Sequence, residues 1–123
     1  MGKKRIEPDL VTLQAAADEL PVDRVVRLLA DPAARYAIVL LHDEPTRTLE
    51  ELADVVTGKT ASVEGMIATP ADRDRVRIRL YHVILPRLDT LGFAAFDADA
   101  KAVTDADIPD AVTDALGVTD SSP

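Results

Sequence analysis

With 123 residues, 47% of them hydrophobic, the chain is long enough for one small domain with its own core and too short for two. It has no cysteine, which excludes a disulfide framework or a thiolate metal site, and two histidines are all that remain for metal chemistry; no apolar run approaches the roughly 20 residues of a membrane span. Its net charge is −8, with aspartate (16) far above glutamate (6) and arginine (10) above lysine (4), a balance that bears on solubility and association rather than on fold. The start, M-G-K-K-R-I-E-P-D, lacks the apolar segment of a signal peptide, so the expected location is the cytoplasm.

In chain order, residues 1–18 read as an N-terminal extension with a weak helix, because Leu10, Val11 and Leu13 are scattered among alanines and polar residues. Pro21 suits a first helical position, and in P-V-D-R-V-V-R-L-L-A the residues Val22, Val25, Val26, Leu28 and Leu29 take one side while Asp23, Arg24 and Arg27 take the other. Asp31 can cap the next helix, which Pro32 opens. Tyr36, Val39 and Leu40 form its stripe, broadened by Ala37, Ile38 and Leu41, so it should be buried on most sides. D-E-P-T-R at 43–47 is a turn. Thr48 followed by Glu51 is a capping box opening L-E-E-L-A-D-V-V, with Gly58 as its stop. Residues 59–69 have no clear period and are expected to form a loop.

Residues 73–80, R-D-R-V-R-I-R-L, alternate arginine with apolar residues and in isolation suit a half-buried strand. Their neighbours decide for a helix. Thr69-Pro70-Ala71-Asp72 combines a cap, a proline at the first position and an acid three residues after the cap, and Gly92 is the stop. Val76, Leu80, Val83, Ile84, Leu88 and Leu91 then recur at three and four residues along one face. Arg75, Arg79 and His82 share the opposite, exposed face, whereas Arg73, Arg77 and Arg87 fall nearer the apolar stripe, their stems on the core and their heads at its rim. Pro86 removes a donor and crowds the carbonyl of His82, so a kink is expected there. F-A-A-F-D-A-D-A-K-A-V-T at 93–104 makes a small hairpin turning at Asp97 to Ala100. Residues 105–123 form an acidic tail, with one or two helical turns at Pro109 to Leu116, that is expected to be removable without loss of fold.

The fold class is therefore mainly α with a small β-hairpin, and the order of helices and hairpin is that of a winged helix-turn-helix over residues 19–104, the hairpin being the wing. The runs L-P-V-D-R-V-V-R-L-L-A-D-P-A-A-R-Y-A-I-V-L-L, T-L-E-E-L-A-D-V-V and D-R-V-R-I-R-L-Y-H-V-I-L-P-R-L-D-T-L-G-F resemble the haloarchaeal winged helix-turn-helix domain family of uncharacterised function. The most specific piece runs from Asp74 to Gly92. The resemblance implies DNA binding and no catalytic residue or cofactor. The chain departs from it at Ala33 and Ala34, where relatives carry more basic residues, and in a 59–69 loop longer than a compact helix-turn-helix allows. The many aspartates and small residues and the few aromatics point to a halophilic origin, since carboxylates keep a surface hydrated in concentrated salt; a mesophile's protein with an acidic tail is the alternative.

Two function classes remain. The first is a double-stranded DNA-binding regulator of transcription that places Arg75, Arg79 and His82 in or over a groove, with Arg73 at the rim and Lys101 of the wing on the backbone. The second is a homodimerising or protein-binding module that keeps the same fold and pairs through exposed apolar residues such as Ile78 or Leu85, or through the acidic tail. The basic helix favours the first and the wing, with one lysine against two aspartates, the second. No nucleophile with a base, no phosphate-cradling glycine loop and no metal spacing is present, so the expectation is a protein without catalysis, metal or cofactor.

Overall fold

The structure is a computed structural model and describes residues 8–16 and 20–117. Among these residues, seven α-helices and three short strands follow one another as α1 (Leu10–Ala15), α2 (Val22–Leu29), α3 (Pro32–Asp43), β1 (Arg47–Thr48), α4 (Leu49–Glu64), α5 (Pro70–Arg79), a π-helical turn (Leu80–Ile84), α6 (Leu85–Thr90), β2 (Ala94–Asp97), β3 (Ala102–Ala106) and α7 (Asp110–Ala115). The fold is mainly helical, as composition and periodicity imply, with a small antiparallel sheet. The sheet has three strands rather than the two of a hairpin, in the order β1-β3-β2. Arg47, expected in a turn, and Thr48, expected as a helix cap, pair with Val103 and Ala102. Nothing near residue 47 could identify that partner, since the pairing spans more than fifty residues.

Local chemistry sets most helix starts. The Asp31 carboxylate caps α3 by accepting from the Ala33 amide at 2.9 Å, with Pro32 in the first turn. Thr48 caps α4 by accepting from the Glu51 amide at 3.1 Å, and the Glu51 carboxylate accepts from the Thr48 hydroxyl at 3.2 Å. Thr69 and Asp72 form a full capping box: the Thr69 hydroxyl accepts from the Asp72 amide at 3.2 Å and the Asp72 carboxylate from the Thr69 amide at 3.0 Å.

The end of α4 differs from expectation. The helix runs straight through Gly58 and stops at Gly65, whose φ of 71° and amide bonds to Ala61 and Ser62 carbonyls make it the left-handed cap. Residues 59–64, expected in a loop, are its last turns. Tertiary packing along α5 outweighs the small helical penalty of one glycine. The connection to α5 is consequently only residues 65–69, a compact turn between two capped helices.

The segment from Pro70 to Thr90 is helical throughout, as its stripe predicts, but its irregularity is a π turn and not a simple kink. The Leu85 amide donates to the carbonyl of Leu80, five residues back. The wider turn lies immediately before Pro86, whose ring crowds the carbonyl of His82 and cannot supply the amide that the carbonyl would otherwise receive. The extra residue in the turn brings both Ile84 and Leu85 inward. Leu85 is therefore core, fully buried, and is not the exposed contact residue expected from the sequence.

The core joins Leu28 and Leu29 of α2, Ile38 and Leu41 of α3, Leu49, Leu52 and Val56 of α4, Leu80, Leu85 and Leu88 of the long helical segment, and Phe93 and Val103 of the sheet. Ala34 belongs to it and is wholly buried, which leaves no place for a basic side chain there. The first and last described helices contribute as well. Leu13 of α1 is buried, and so are Ile108, Val112, Ala115 and Leu116, so the expected acidic tail is docked as far as Leu116. The Asp9 amide donates to the carbonyl of Ala115 at 2.6 Å, tying α1 to α7.

Candidate nucleic-acid interface

The outward face of α5 is set by its position against α4. Val76 is half-buried towards the core, while Arg75 and Ile78 point away, their exposure reaching 70% for the Arg75 side chain and 54% for Ile78. Arg79 and His82 are exposed on the same stretch, so three of the five expected residues do share one solvent face. The two sets of arginines are also present, but nearly all their charge is already answered.

Arg73 donates from Nη2 to Glu50 Oε1 at 2.8 Å and from Nε to Asp54, so its guanidinium spans two carboxylates of α4. Arg77 donates to the other oxygen of Glu50 at 2.6 Å. These three ion pairs brace α5 against α4. Hydrogen bonds from Arg73 and then Arg77 hold the Glu50 carboxyl below the usual carboxylate range, and the Asp54 and Glu50 carboxylates raise the Arg73 guanidinium further. Arg73 is therefore built into the scaffold, with its side chain only one-third exposed, and the sequence-based placement of it among the groove residues is not what this geometry suggests. Its bracing partner Glu50 went unrecognised because residue 50 precedes residue 73 by many helical turns.

Arg75 pairs with Asp72 on the same helix. The Asp72 carboxyl lies below its usual range, chiefly because it accepts from the Thr69 amide and hydroxyl side of the capping box and then because of Arg75. Arg79 donates from Nε to Asp31 Oδ2 at 3.1 Å. His82 packs edge-on against Tyr81 with ring centroids 4.8 Å apart, and Tyr81 in turn meets Phe96 of β2 at 5.8 Å. His82 thus sits where the helix meets the hairpin.

The wing has its own order. The Asp97 carboxylate accepts from the amides of Asp99 at 3.0 Å and Ala100 at 3.1 Å, which folds the tip of the hairpin. Lys101 follows with φ of 53°, a left-handed conformation uncommon for lysine, and its carbonyl accepts from the Leu49 amide at 2.8 Å. That bond fastens the wing to the start of α4 and leaves the Lys101 side chain exposed. Arg24 and Arg27, which the periodicity placed on the polar side of α2, line a cleft between α2 and α6 together with Arg87. Arg87 is exposed rather than laid along the core.

Among the described residues, no three His, Cys, Asp or Glu side chains gather as a metal site, and no helix is long and apolar enough to cross a membrane. A family model described as a domain of unknown function, DUF7344, matches residues 26–104, from the middle of α2 to β3. No curated protein and no solved structure matches the chain.

Proposed function

The chain belongs to the DUF7344 family, a domain of unknown function, and from that premise we propose that it is a winged helix DNA-binding protein that regulates transcription. The observation that carries this reading is the pair of capped helices α4 and α5 joined by the short turn at 65–69, with Arg75, Arg79 and His82 together on the outer face of the second. A helix of this kind fits a major groove. The sheet order β1-β3-β2, with the β2–β3 hairpin following the long helical segment, supports the winged variant. Lys101 at the wing contacts the backbone, and Arg73 acts from behind by holding α5 on α4.

The ion pairs do not oppose the proposal. Arg75 pairs with an exposed acid of its own helix, and exposed pairs of this kind stabilise little, so a phosphate or a guanine edge can replace Asp72 at small cost; Arg79 is itself half-exposed and can turn from Asp31 to the same ligand. The surplus of aspartate fits a halophilic host, in which direct contacts matter more than counterion release. The protein acts without catalysis.

The test is a titration of wild type and of the Arg75→Ala, Arg79→Ala double variant against DNA recovered by crosslinking from cells. Loss of binding with an intact fold supports the proposal; undiminished binding by the double variant overturns it. A second reading, a protein-interaction or homodimerisation module, is favoured by a specific feature: Met66 and Ile67 in the α4–α5 turn and Ile78 on α5 are all exposed apolar residues. On that reading, Ile78→Asp and not the arginine substitutions abolishes the interaction.

A further inference from the structure

Arg24 and Arg27 lie three residues apart on the outer side of α2, and Arg87 comes from α6. Together they line one open cleft of about 380 Å³, with Leu28 and Leu91 supplying apolar wall and Thr90 a hydroxyl. A second hollow of about 360 Å³ shares Arg27, Leu28 and Arg87 and continues past Val83 to Arg79 and its partner Asp31.

These three arginines differ from the other described arginines. Arg47, Arg73, Arg75, Arg77 and Arg79 all hold carboxylates, and Arg35 donates to the Leu29 carbonyl at 2.6 Å. Arg24, Arg27 and Arg87 have neither an ion pair nor a hydrogen bond among the described residues. Of the neighbouring described acids, Asp31 is engaged by Arg79 and Asp89 by the Phe96 amide at 3.3 Å, and Asp23, beside Arg24 on α2, forms no ion pair with any of the three. In a chain with eight more negative than positive charges, three guanidinium groups lining one cleft with no carboxylate among its described lining residues are an unbalanced concentration of positive charge.

We propose that the α2–α6 cleft binds a small molecule carrying two or more phosphate or carboxylate groups. The planar donor forks of arginine match both kinds of oxyanion in bidentate fashion, and three of them answer a ligand of more than one negative charge. The volume is that of a small-molecule site, and Leu28 and Leu91 can cover a carbon portion of the ligand. DNA phosphate is the competing occupant. It is disfavoured because the positive groups line a concavity between two helices, whereas the proposed DNA surface is the outer face of α5. The cleft does not depend on the DNA reading, since it draws on different residues.

The experiment is isothermal titration of the full chain with inorganic pyrophosphate and, separately, with citrate, at constant ionic strength. Saturable one-to-one binding of either is expected, and the two arms distinguish phosphate from carboxylate chemistry. Arg24→Ala with Arg27→Ala, and Arg87→Ala alone, should each weaken binding about tenfold or more while thermal melts stay unchanged, and Arg75→Ala should leave it intact. Absence of saturable binding by both anions overturns the proposal, as does binding indifferent to the cleft substitutions. A duplex that loses affinity in the cleft variants, with neither small anion bound, assigns the arginines to DNA instead and likewise overturns it. Failure of DNA binding alone leaves the result for the small anions standing.

Discussion

Arg79 and Asp31, 48 residues apart, share one carboxylate with the start of a helix: Asp31 Oδ2 accepts from Arg79 Nε at 3.1 Å while Oδ1 caps α3 through the Ala33 amide at 2.9 Å. The expected groove residue thus also steadies the capping side chain of another helix. Asp31→Ala removes both bonds and is expected to cost roughly 1–2 kcal/mol, most of it from the cap. Asp31→Asn keeps a capping oxygen and should cost less than half as much. Urea unfolding of the two variants beside wild type checks the order, and equal losses would show that the ion pair and not the cap dominates.

Gly58 and Gly65 should respond in opposite directions to the same substitution. Gly58 lies inside α4, where an added Cβ meets nothing within 4 Å, so Gly58→Ala should stabilise by roughly 0.5–1 kcal/mol through reduced freedom of the unfolded chain. Gly65 has equal space but a φ of 71°, so Gly65→Ala should destabilise by about 1 kcal/mol. Thermal melts of both variants are sufficient. A loss at Gly58 would place the helix end there, as its sequence alone suggests.

Removal of residues 105–123 should unfold the protein. Ile108, Val112 and Leu116 are buried against the rest of the core, and each such side chain contributes roughly 1.5–3 kcal/mol, which together is a large part of a typical domain stability of about 5–15 kcal/mol. A circular dichroism melt of the truncated chain decides it. A cooperative transition in the shorter chain would mean that α1 and α7 are accessory to a core complete at residue 104.

The Glu50 carboxyl, held below its ordinary range by Arg73 and Arg77, implies an acid-side loss of stability. Because its folded value lies below its unfolded one, its stabilising effect is complete above the unfolded value. The effect declines as pH falls through the folded value. Asp72 shifts in the same direction and adds to the same limb. Glu50→Gln should be less stable than wild type at neutral pH, and its melting curve should approach that of wild type as the solution becomes strongly acid. Parallel curves from neutral to acid pH would separate the brace from the titration.

How much of this molecule its residues announce depends on the distance over which each interaction acts. Asp31 with Pro32, Thr48 with Glu51, Thr69 with Asp72 and the stop at Gly92 are contacts within a few residues, so the helix starts, the end of the long helical segment and the side on which Arg75, Arg79 and His82 lie are all legible from the sequence. The hairpin is legible for the same reason. What tertiary structure alone decided is which of several suitable partners each group meets. Arg73 and Arg77 had acids close by in the chain, yet bond Glu50 across the α4–α5 contact, and Arg79 reaches back to α3. Gly58 had the character of a stop, but packing along α5 carries α4 on to a glycine that can take the left-handed conformation. Pro86 announced an irregularity, but its form as a π turn, with Leu85 drawn inward, required the surrounding core. Arg47 could not identify β3, nor Val112 its place in the core, because a strand edge or an apolar side chain is stabilised by whichever surface the rest of the chain presents. Capping and periodicity are local and act wherever the sequence occurs; ion pairing, sheet pairing and burial are choices among distant partners, and the folded chain makes them.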